Sequence, residues 1–338
     1  MRSQETGRLT RQTNRAVVPV DVRVISWSPQ PMDDRKQLDE LLGAQRGALT
    51  VGQLDQLGIT DRRRRLARTN GYLEKVGAHT YRSGLVLAST EEELAAFVLD
   101  CGPNAWASGL TAAGLMRFDS FRLRQPFEVT VPRVRNIRRT GHIIRTTTAM
   151  TSIDHTTIRG IPVTSGPRTV IDLARSCTVE QLTLAIDSMI RDGWGSEALL
   201  HKRIVALQGS GRHGIHKVID ALEGADAQRG GHSYLEREYL LLIAAAGLQR
   251  PDTQKVLSRT NGKVIRVDFR FAGTPVVVEV LGYKWHRTER QMDNDTRRMN
   301  QLQSDGFNAR QFTYRQVVAE PDYVVSETAA ALAHSTPR

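Results

Sequence analysis

Two adjacent apolar segments constrain the fold of this chain more than any other feature. The first, VIRVDFRF, covers residues 264–271, and the second, VVVEVLGYKWH, covers residues 276–286. Both are rich in β-branched and aromatic residues, and a Gly-Thr-Pro turn separates them, so they predict two neighbouring strands. The second run is apolar apart from Glu279, which is typical of a strand covered on both faces.

Each of these strands carries one carboxylate, Asp268 and Glu279. Strict alternation places Asp268 on the polar face of its strand. It places on the opposite face the apolar residues Ile265, Val267, Phe269 and Phe271. A glutamate buried without a partner in a valine run is costly, so a nearby cation is expected. The pair predicts a site for Mg²⁺ or Mn²⁺, which can activate water for phosphodiester cleavage.

Further polar residues surround this pair in the sequence. Glu236 is a candidate third carboxylate, although with Ser233 it also fits a helix capping box. His286 is a candidate general base or phosphate contact, and Lys284 is a nearby cation. A polar helix is predicted for residues 289–304, and it carries Arg297 and Arg298. These two arginines either clamp DNA phosphates or lie in solvent beside Asp293 and Asp295.

About the last hundred residues resemble the Vsr-like branch of the PD-(D/E)XK restriction-endonuclease-like superfamily. The matching positions are Ser233, Glu236, Asp268, Glu279, Gly282, Trp285, His286, Asp293, Asp295, Arg298, Leu302, Gly306, Phe307, Phe312 and Thr313. The resemblance implies an αβββαβα-type domain. It also implies Asp268 and Glu279 as metal ligands, Glu236 as the helix acid and His286 as an accessory catalytic residue.

One position departs from that family pattern. The superfamily places Lys two residues after the second acid, and relatives in this branch often have Asp or His there, whereas this chain has Leu281. A leucine neither holds a nucleophilic water nor binds metal. Lys284 is the nearest substitute, but it leaves the strand in a different direction. That this domain descends from a nuclease and that it still cleaves nucleic acid are therefore two separate hypotheses.

The net charge and the cysteine content restrict the classes of function open to this chain. The chain has 338 residues and a formal net charge of +11, which favours a polyanionic partner, DNA above all. Cys101 and Cys177 lie far apart without a CxxC, which excludes a cysteine-rich zinc site and a disulfide framework and fits the cytoplasm. The sequence has no apolar run of the roughly eighteen residues that a membrane helix requires, so no membrane partner is expected.

Residues 34–84 predict a winged helix-turn-helix. Two short helices are followed by a basic helix, DRRRRLAR, at residues 61–68 and by a hairpin at residues 72–81 with a turn at Gly77. Such a helix can enter the major groove, so its arginines are candidate DNA contacts; the alternative is a solvated basic helix. The candidates are Arg62, Arg63, Arg64, Arg65 and Arg68.

The sequence predicts an α+β or α/β multidomain chain. Its expected parts are a flexible extension at residues 1–33, the winged helix at 34–84, a central α+β domain at 85–226 and the nuclease-like domain at 227–338. Met32 offers an alternative start.

A loop in the central domain either contacts phosphates or is a solvated hairpin tip; its arginines are Arg133, Arg135, Arg138 and Arg139. The lone His155 is expected to be structural.

The N-terminal and central parts resemble the AbiEi family of type IV antitoxins. The matching segments are residues 49–83, ASGLTAAGL at 107–115, GIPVT at 160–164 and RTVIDL at 168–173. The resemblance implies DNA binding, without implying a cognate toxin. Three functional hypotheses follow: a metal-dependent DNA endonuclease in defence or repair, a non-catalytic antitoxin-like regulator with a degenerate nuclease domain, and an RNA-directed nuclease.

Overall fold

The computed structural model is mixed α/β, as the sequence predicts. It describes residues 40–43, 45–84, 88–135, 137–208, 214–228, 233–258, 264–282 and 289–335. The chain divides into two compact units, Met1–Leu87 and Ala88–Arg338. The expected N-terminal extension and the candidate residues Lys284, Trp285 and His286 lie outside the described residues.

The first unit is a small helical layer on a three-stranded sheet. Its elements are α1 (residues 40–43), β1 (Ala48–Thr50), α2 (Val51–Gln56), α3 (Asp61–Thr69), β2 (Leu73–Lys75) and β3 (Thr80–Ser83). Antiparallel pairing gives the order β1-β3-β2. Thr50 and Gln53 form a capping box that starts α2. The predicted helices and hairpin are confirmed. Strand β1, which completes the sheet, was not predicted because three residues are too few to show an alternation of apolar and polar residues.

The core of this unit is formed by a few large apolar side chains. They are Leu49, Leu54, Leu57, Ile59 and Tyr81. Leu49 and Tyr81 are also direct cross-strand partners, so the sheet and the helices close on one cluster.

The second unit begins with a five-stranded sheet flanked by helices. Its elements are α4 (Thr90–Asp100), β4 (Trp106–Ala107), α5 (Gly109–Leu115), β5 (Glu128–Pro132), β6 (Ile143–Thr147), β7 (His155–Ile158), β8 (Ile161–Thr164), α6 (Gly166–Leu173), α7 (Val179–Arg191), α8 (Glu197–Leu207) and α9 (Ile215–Gln228). The strand order is β6-β5-β4-β8-β7. His155 packs against the ring of Trp106, with 5.2 Å between ring centroids, in line with the structural role expected for it.

The arginines of the β5–β6 connection divide into two classes. Arg135 donates to the carbonyl of Pro103, and Arg139 pairs with the buried carboxylate of Asp100, so both hold the loop on the domain. Arg133 and Arg138 are exposed. Only the exposed pair remains available for the phosphate contact that the sequence left open.

The remainder of the second unit is built on a four-stranded sheet. Its elements are α10 (Tyr234–Ala245), β9 (Asp252–Ser258), β10 (Val264–Arg270), β11 (Val276–Leu281), α11 (Glu289–Ser304), β12 (Asn308–Thr313), α12 (Tyr314–Ala319) and α13 (Pro321–Ala333). The order is β12-β11-β10-β9, with β11 and β12 parallel. The residue pattern gave only two strands before α11; it missed β9 because this edge strand is largely polar.

Residues 85–226 and 227–338, expected as two domains, share one apolar core. His201 on α8 stacks on Tyr234 of α10 with 3.6 Å between ring centroids, and its Nδ1 lies 2.5 Å from the hydroxyl of Tyr314. Burial lowers the pKa of His201 to about 3, so the ring is neutral at physiological pH. The expected boundary near residue 226 therefore does not separate independent cores.

Two further expectations concern cysteines and membranes. Cys101 and Cys177 are buried and not bonded to each other, and burial raises the pKa of the Cys101 thiol to about 11. Within the described ranges, no helix combines the length and apolar character needed to cross a membrane.

Candidate functional site

Asp268 lies at an interruption of the β9–β10 strand pair. Cα pairing continues on both sides of Asp268 and Gln254 but skips these two residues, and Gln254 has a φ of 52°. This left-handed conformation is uncommon for a residue other than glycine and concentrates at functional or tightly constrained sites. The interruption thus coincides with one of the two predicted metal ligands.

The prediction that the apolar residues of β10 share one face is wrong. Ile265 and Val267 pack in a small cluster with Leu302, whereas Phe269 and Phe271 pack in the large core. The two-residue period assumes a regular strand, and the irregular backbone opposite Asp268 breaks that regularity. The side of the sheet that Asp268 occupies could therefore not be read from alternation alone.

Glu279 lies in the middle of β11 and is 6% exposed. Its strand partner in β12 is Gln311. Burial, the strongest influence, raises the pKa of Glu279, and the charge of Asp268 raises it further, against the lowering effect of Arg298. A buried carboxylate with a raised pKa favours a bound positive charge, as the sequence anticipated.

Asp268 and Glu279 are close in space. The backbone N–H of Val280 donates to Oδ2 of Asp268 at 2.9 Å, so the Asp268 carboxylate lies against the residue that follows Glu279. Burial raises the pKa of Asp268, and the charge of Glu236 adds to that rise. Glu236, Asp268 and Glu279 therefore form a chain of electrostatically linked acids.

Glu236 contacts both the start of α10 and the neighbouring strand β9. Its backbone N–H donates to Oγ of Ser233 at 3.3 Å, which caps α10. Its side chain reaches toward β9 and accepts a 2.8 Å hydrogen bond from Nε2 of Gln254. Glu236 therefore connects the first turn of α10 to Gln254, at the strand interruption.

The cation next to Glu279 is Arg298 of α11. Its Nη2 lies 2.7 Å from Oε1 of Glu279, and it also donates to the carbonyl of Arg266. From the sequence, Arg298 was a candidate DNA-phosphate contact or a solvated side chain of the helix. Its contact with Glu279 was missed because no local pattern relates a helix residue to a strand residue about twenty positions earlier.

The remaining candidate residues of this region differ in exposure and in their effect on Glu279. Arg297 and Asp293 are exposed on α11, and Leu281, two residues after Glu279, is half-buried at the end of β11. Asp295 adds a negative charge that raises the pKa of Glu279. Lys284 and His286, as stated above, belong to the part of the chain that the structure leaves undescribed.

Metal-binding capacity can be judged from the carboxylates. Mg²⁺ is commonly held by one or two carboxylates together with substrate phosphates, and Asp268 and Glu279 fit that donor set. Among the described residues, no three acidic, histidine or cysteine side chains are grouped so that they could hold one ion. Glu236 therefore borders this two-carboxylate site without completing a three-ligand group.

A second candidate site is the basic helix α3 in the first unit. Four of its arginines are exposed: Arg62, Arg63, Arg65 and Arg68. Arg65 pairs with Asp61 on the helix surface, a contact of small energetic value. These exposed side chains leave a positive surface on α3.

Arg64, one of the five candidate DNA contacts, is buried rather than exposed. It is 6% exposed, donates to the carbonyl of Ile59 at 2.7 Å and pairs with Asp55. A run of arginines covers every side of a helix, so one of them had to face the α2–α3 turn. Arg64 therefore fixes the rotation of α3 rather than offering a contact to a ligand.

No protein-family model matches the chain. Two relatives from strains of Mycobacterium tuberculosis, named Uncharacterized protein MT2308 and Uncharacterized protein Rv2248, are each 24% identical over 175 residues, or 52% of this chain. The match spans 63% of the length of these relatives.

Among solved structures, the crystal structure of the RV2827C protein from Mycobacterium tuberculosis is similar at 13% identity and a TM-score of 0.33. That match covers 58% of this chain and 82% of the other.

Proposed function

We propose that this chain is a DNA-binding protein whose second unit carries a divalent-metal-dependent endonuclease site. The observation that carries the DNA-binding part is the exposed arginine face of α3, oriented by the buried Arg64. The formal net charge of +11 supports a polyanionic partner. The helix and hairpin order supports the resemblance to a winged helix, whose third helix enters the major groove.

Neutralising the exposed arginines of α3 is the test of this proposal. A quadruple alanine variant at Arg62, Arg63, Arg65 and Arg68 is expected to bind duplex DNA more weakly. The slope of log Kobs against log salt should become shallower by about 0.9 for each lost phosphate contact. Fluorescence anisotropy over a salt series measures both quantities.

A control variant with the same loss of charge separates local contacts from net charge. It replaces four exposed arginines of the second unit with alanine: Arg122, Arg124, Arg175 and Arg250. The control should retain most of the slope. Equal slopes in wild type and in the α3 variant would exclude α3 as the DNA contact.

The endonuclease part rests on Asp268 and Glu279. A bound Mg²⁺ or Mn²⁺ would polarise the scissile phosphate and activate water. Asp268 and Glu279 would hold the ion from adjacent strands, and Glu236 would add negative charge beside Asp268. Arg298 pairs with Glu279 and is 42% exposed, so its guanidinium is within reach of a phosphate bound at this site.

The second candidate function is a non-catalytic, antitoxin-like regulator. Two observations favour it: Leu281 replaces the family's lysine, and Arg298 already neutralises Glu279. In that case the carboxylates would be structural and the domain would act as a binding platform. Metal binding measured without DNA distinguishes the two functions.

Replacing Arg298 with alanine is expected to tighten Mn²⁺ binding. Removing the guanidinium leaves Glu279 free to bind the ion, and because the pair is partly exposed we expect a gain of about tenfold in affinity. Isothermal titration calorimetry on the full chain gives the dissociation constant. The exposed neighbour Arg297→Ala is the matched control. Unchanged or weaker Mn²⁺ binding in Arg298→Ala would favour the regulator.

A further inference from the structure

The outward face of α3 carries an exposed leucine among its basic residues. Successive helix residues are rotated by about 100°, so Arg62, Leu66 and Thr69 point in neighbouring directions, away from the buried Arg64. Leu66 is 61% exposed, whereas the other leucines near it, Leu54 and Leu57, are buried in the core of the unit. The apolar side chain is therefore presented at the centre of the proposed DNA-binding face.

The surroundings of Leu66 select the kind of ligand. Arg62 lies about one helical turn before Leu66, and Arg65 is the residue directly before it. The acid of this helix, Asp61, is paired with Arg65. An apolar group framed by cations is complementary to a polyanion that offers a methyl group. In duplex DNA the 5-methyl group of thymine is such a group, and it projects into the major groove.

Resting on the proposed function, we propose that Leu66 is a specificity-determining residue that contacts a thymine methyl group in the major groove. Arg62 lies one turn toward the helix N-terminus on the same face, and contacts an adjacent base edge or phosphate. The arginines supply most of the affinity, because they neutralise phosphates whatever the sequence. Leu66 supplies preference for thymine at one position of the site.

The test uses the methyl group as the single variable. A preferred duplex is first selected from random DNA with the wild-type protein. Each thymine in it is then replaced in turn by deoxyuridine, which lacks only the 5-methyl group. At one position the wild type should bind the deoxyuridine duplex roughly fourfold more weakly, as expected for one buried methyl group.

Leu66→Ala and Leu66→Gln are expected to bind both duplexes equally at that position. Alanine and glutamine are both good helix formers, so α3 should remain folded. Leu241→Ala is the matched control, since Leu241 is 64% exposed on α10 in the other unit, and it should keep the wild-type preference.

The outcomes separate this inference from the proposed function. Binding with no thymine preference in the wild type, or the same preference in Leu66→Ala, would overturn the role of Leu66 alone. An equal loss of binding to both duplexes would also overturn it, and would point to Leu66 as a residue that packs in the complex. Absence of DNA binding by the wild type would overturn both proposals.

Discussion

A Glu279→Gln variant is expected to cleave supercoiled plasmid DNA in Mg²⁺ at least about 100-fold more slowly than the wild type. Glutamine keeps the shape of the side chain but removes the charge that would hold the ion beside Asp268. Losing charge stabilisation at a preorganised site costs about two to three orders of magnitude in rate. Asp268→Asn should have a similar effect, because the two acids lie on adjacent strands and are electrostatically linked.

The cleavage measurement compares initial nicking rates on plasmid, linear duplex and duplex RNA, with Mg²⁺ and with Mn²⁺. Glu238→Gln is the control, since Glu238 lies two positions after Glu236 on the same helix, α10. Cleavage of RNA alone would establish the RNA-directed nuclease. Equal rates in wild type, Asp268→Asn and Glu279→Gln would reject catalysis at this site, and the absence of any cleavage would leave the regulator as the function.

An Arg168→Ala variant is expected to lower the free energy of unfolding of the second unit by about 3–5 kcal/mol. Arg168 is 1% exposed, and its Nε lies 3.1 Å from Oδ2 of Asp172, which is also buried. Its Nη1 also donates to the carbonyl of Ala149 at 2.8 Å. Truncation leaves a carboxylate and a carbonyl without their partner in the interior, which is more costly than losing the pair as a whole.

Urea unfolding followed by circular dichroism measures this loss as a lower midpoint. Arg175→Ala provides the control, because Arg175 is exposed just after the same helix, α6. A double variant, Arg168→Met with Asp172→Leu, should recover much of the stability since it leaves no unpaired charge. A midpoint within error of the wild type in Arg168→Ala would contradict this account of the pair.

Local chemistry was enough to predict several elements. The turn at Gly77 predicted the hairpin of the first unit, and the valine run predicted β11. Ser233 and Glu236 predicted the start of α10. In these cases the signal and the structure involve residues within a few positions of one another, so the sequence contains the whole interaction.

Other features depend on contacts between distant segments. The edge strand β9 has no apolar period of its own and forms because β10 offers a partner. The shared core of the central and C-terminal parts depends on His201, Tyr234 and Tyr314, which lie far apart along the chain. Composition could not distinguish this one unit from two separate domains, since each part contains enough apolar residues to form a core.

The sequence alone determined the two carboxylates on adjacent strands, the basic helix and the leucine two residues after Glu279. Only the tertiary structure decided that Arg298 pairs with Glu279, that Arg64 is buried, and that β10 is interrupted at Asp268. The physical reason is that residue type fixes which charges exist, whereas their partners depend on how helices rotate and strands pair. Those geometries are set by the packing of segments that are remote in sequence.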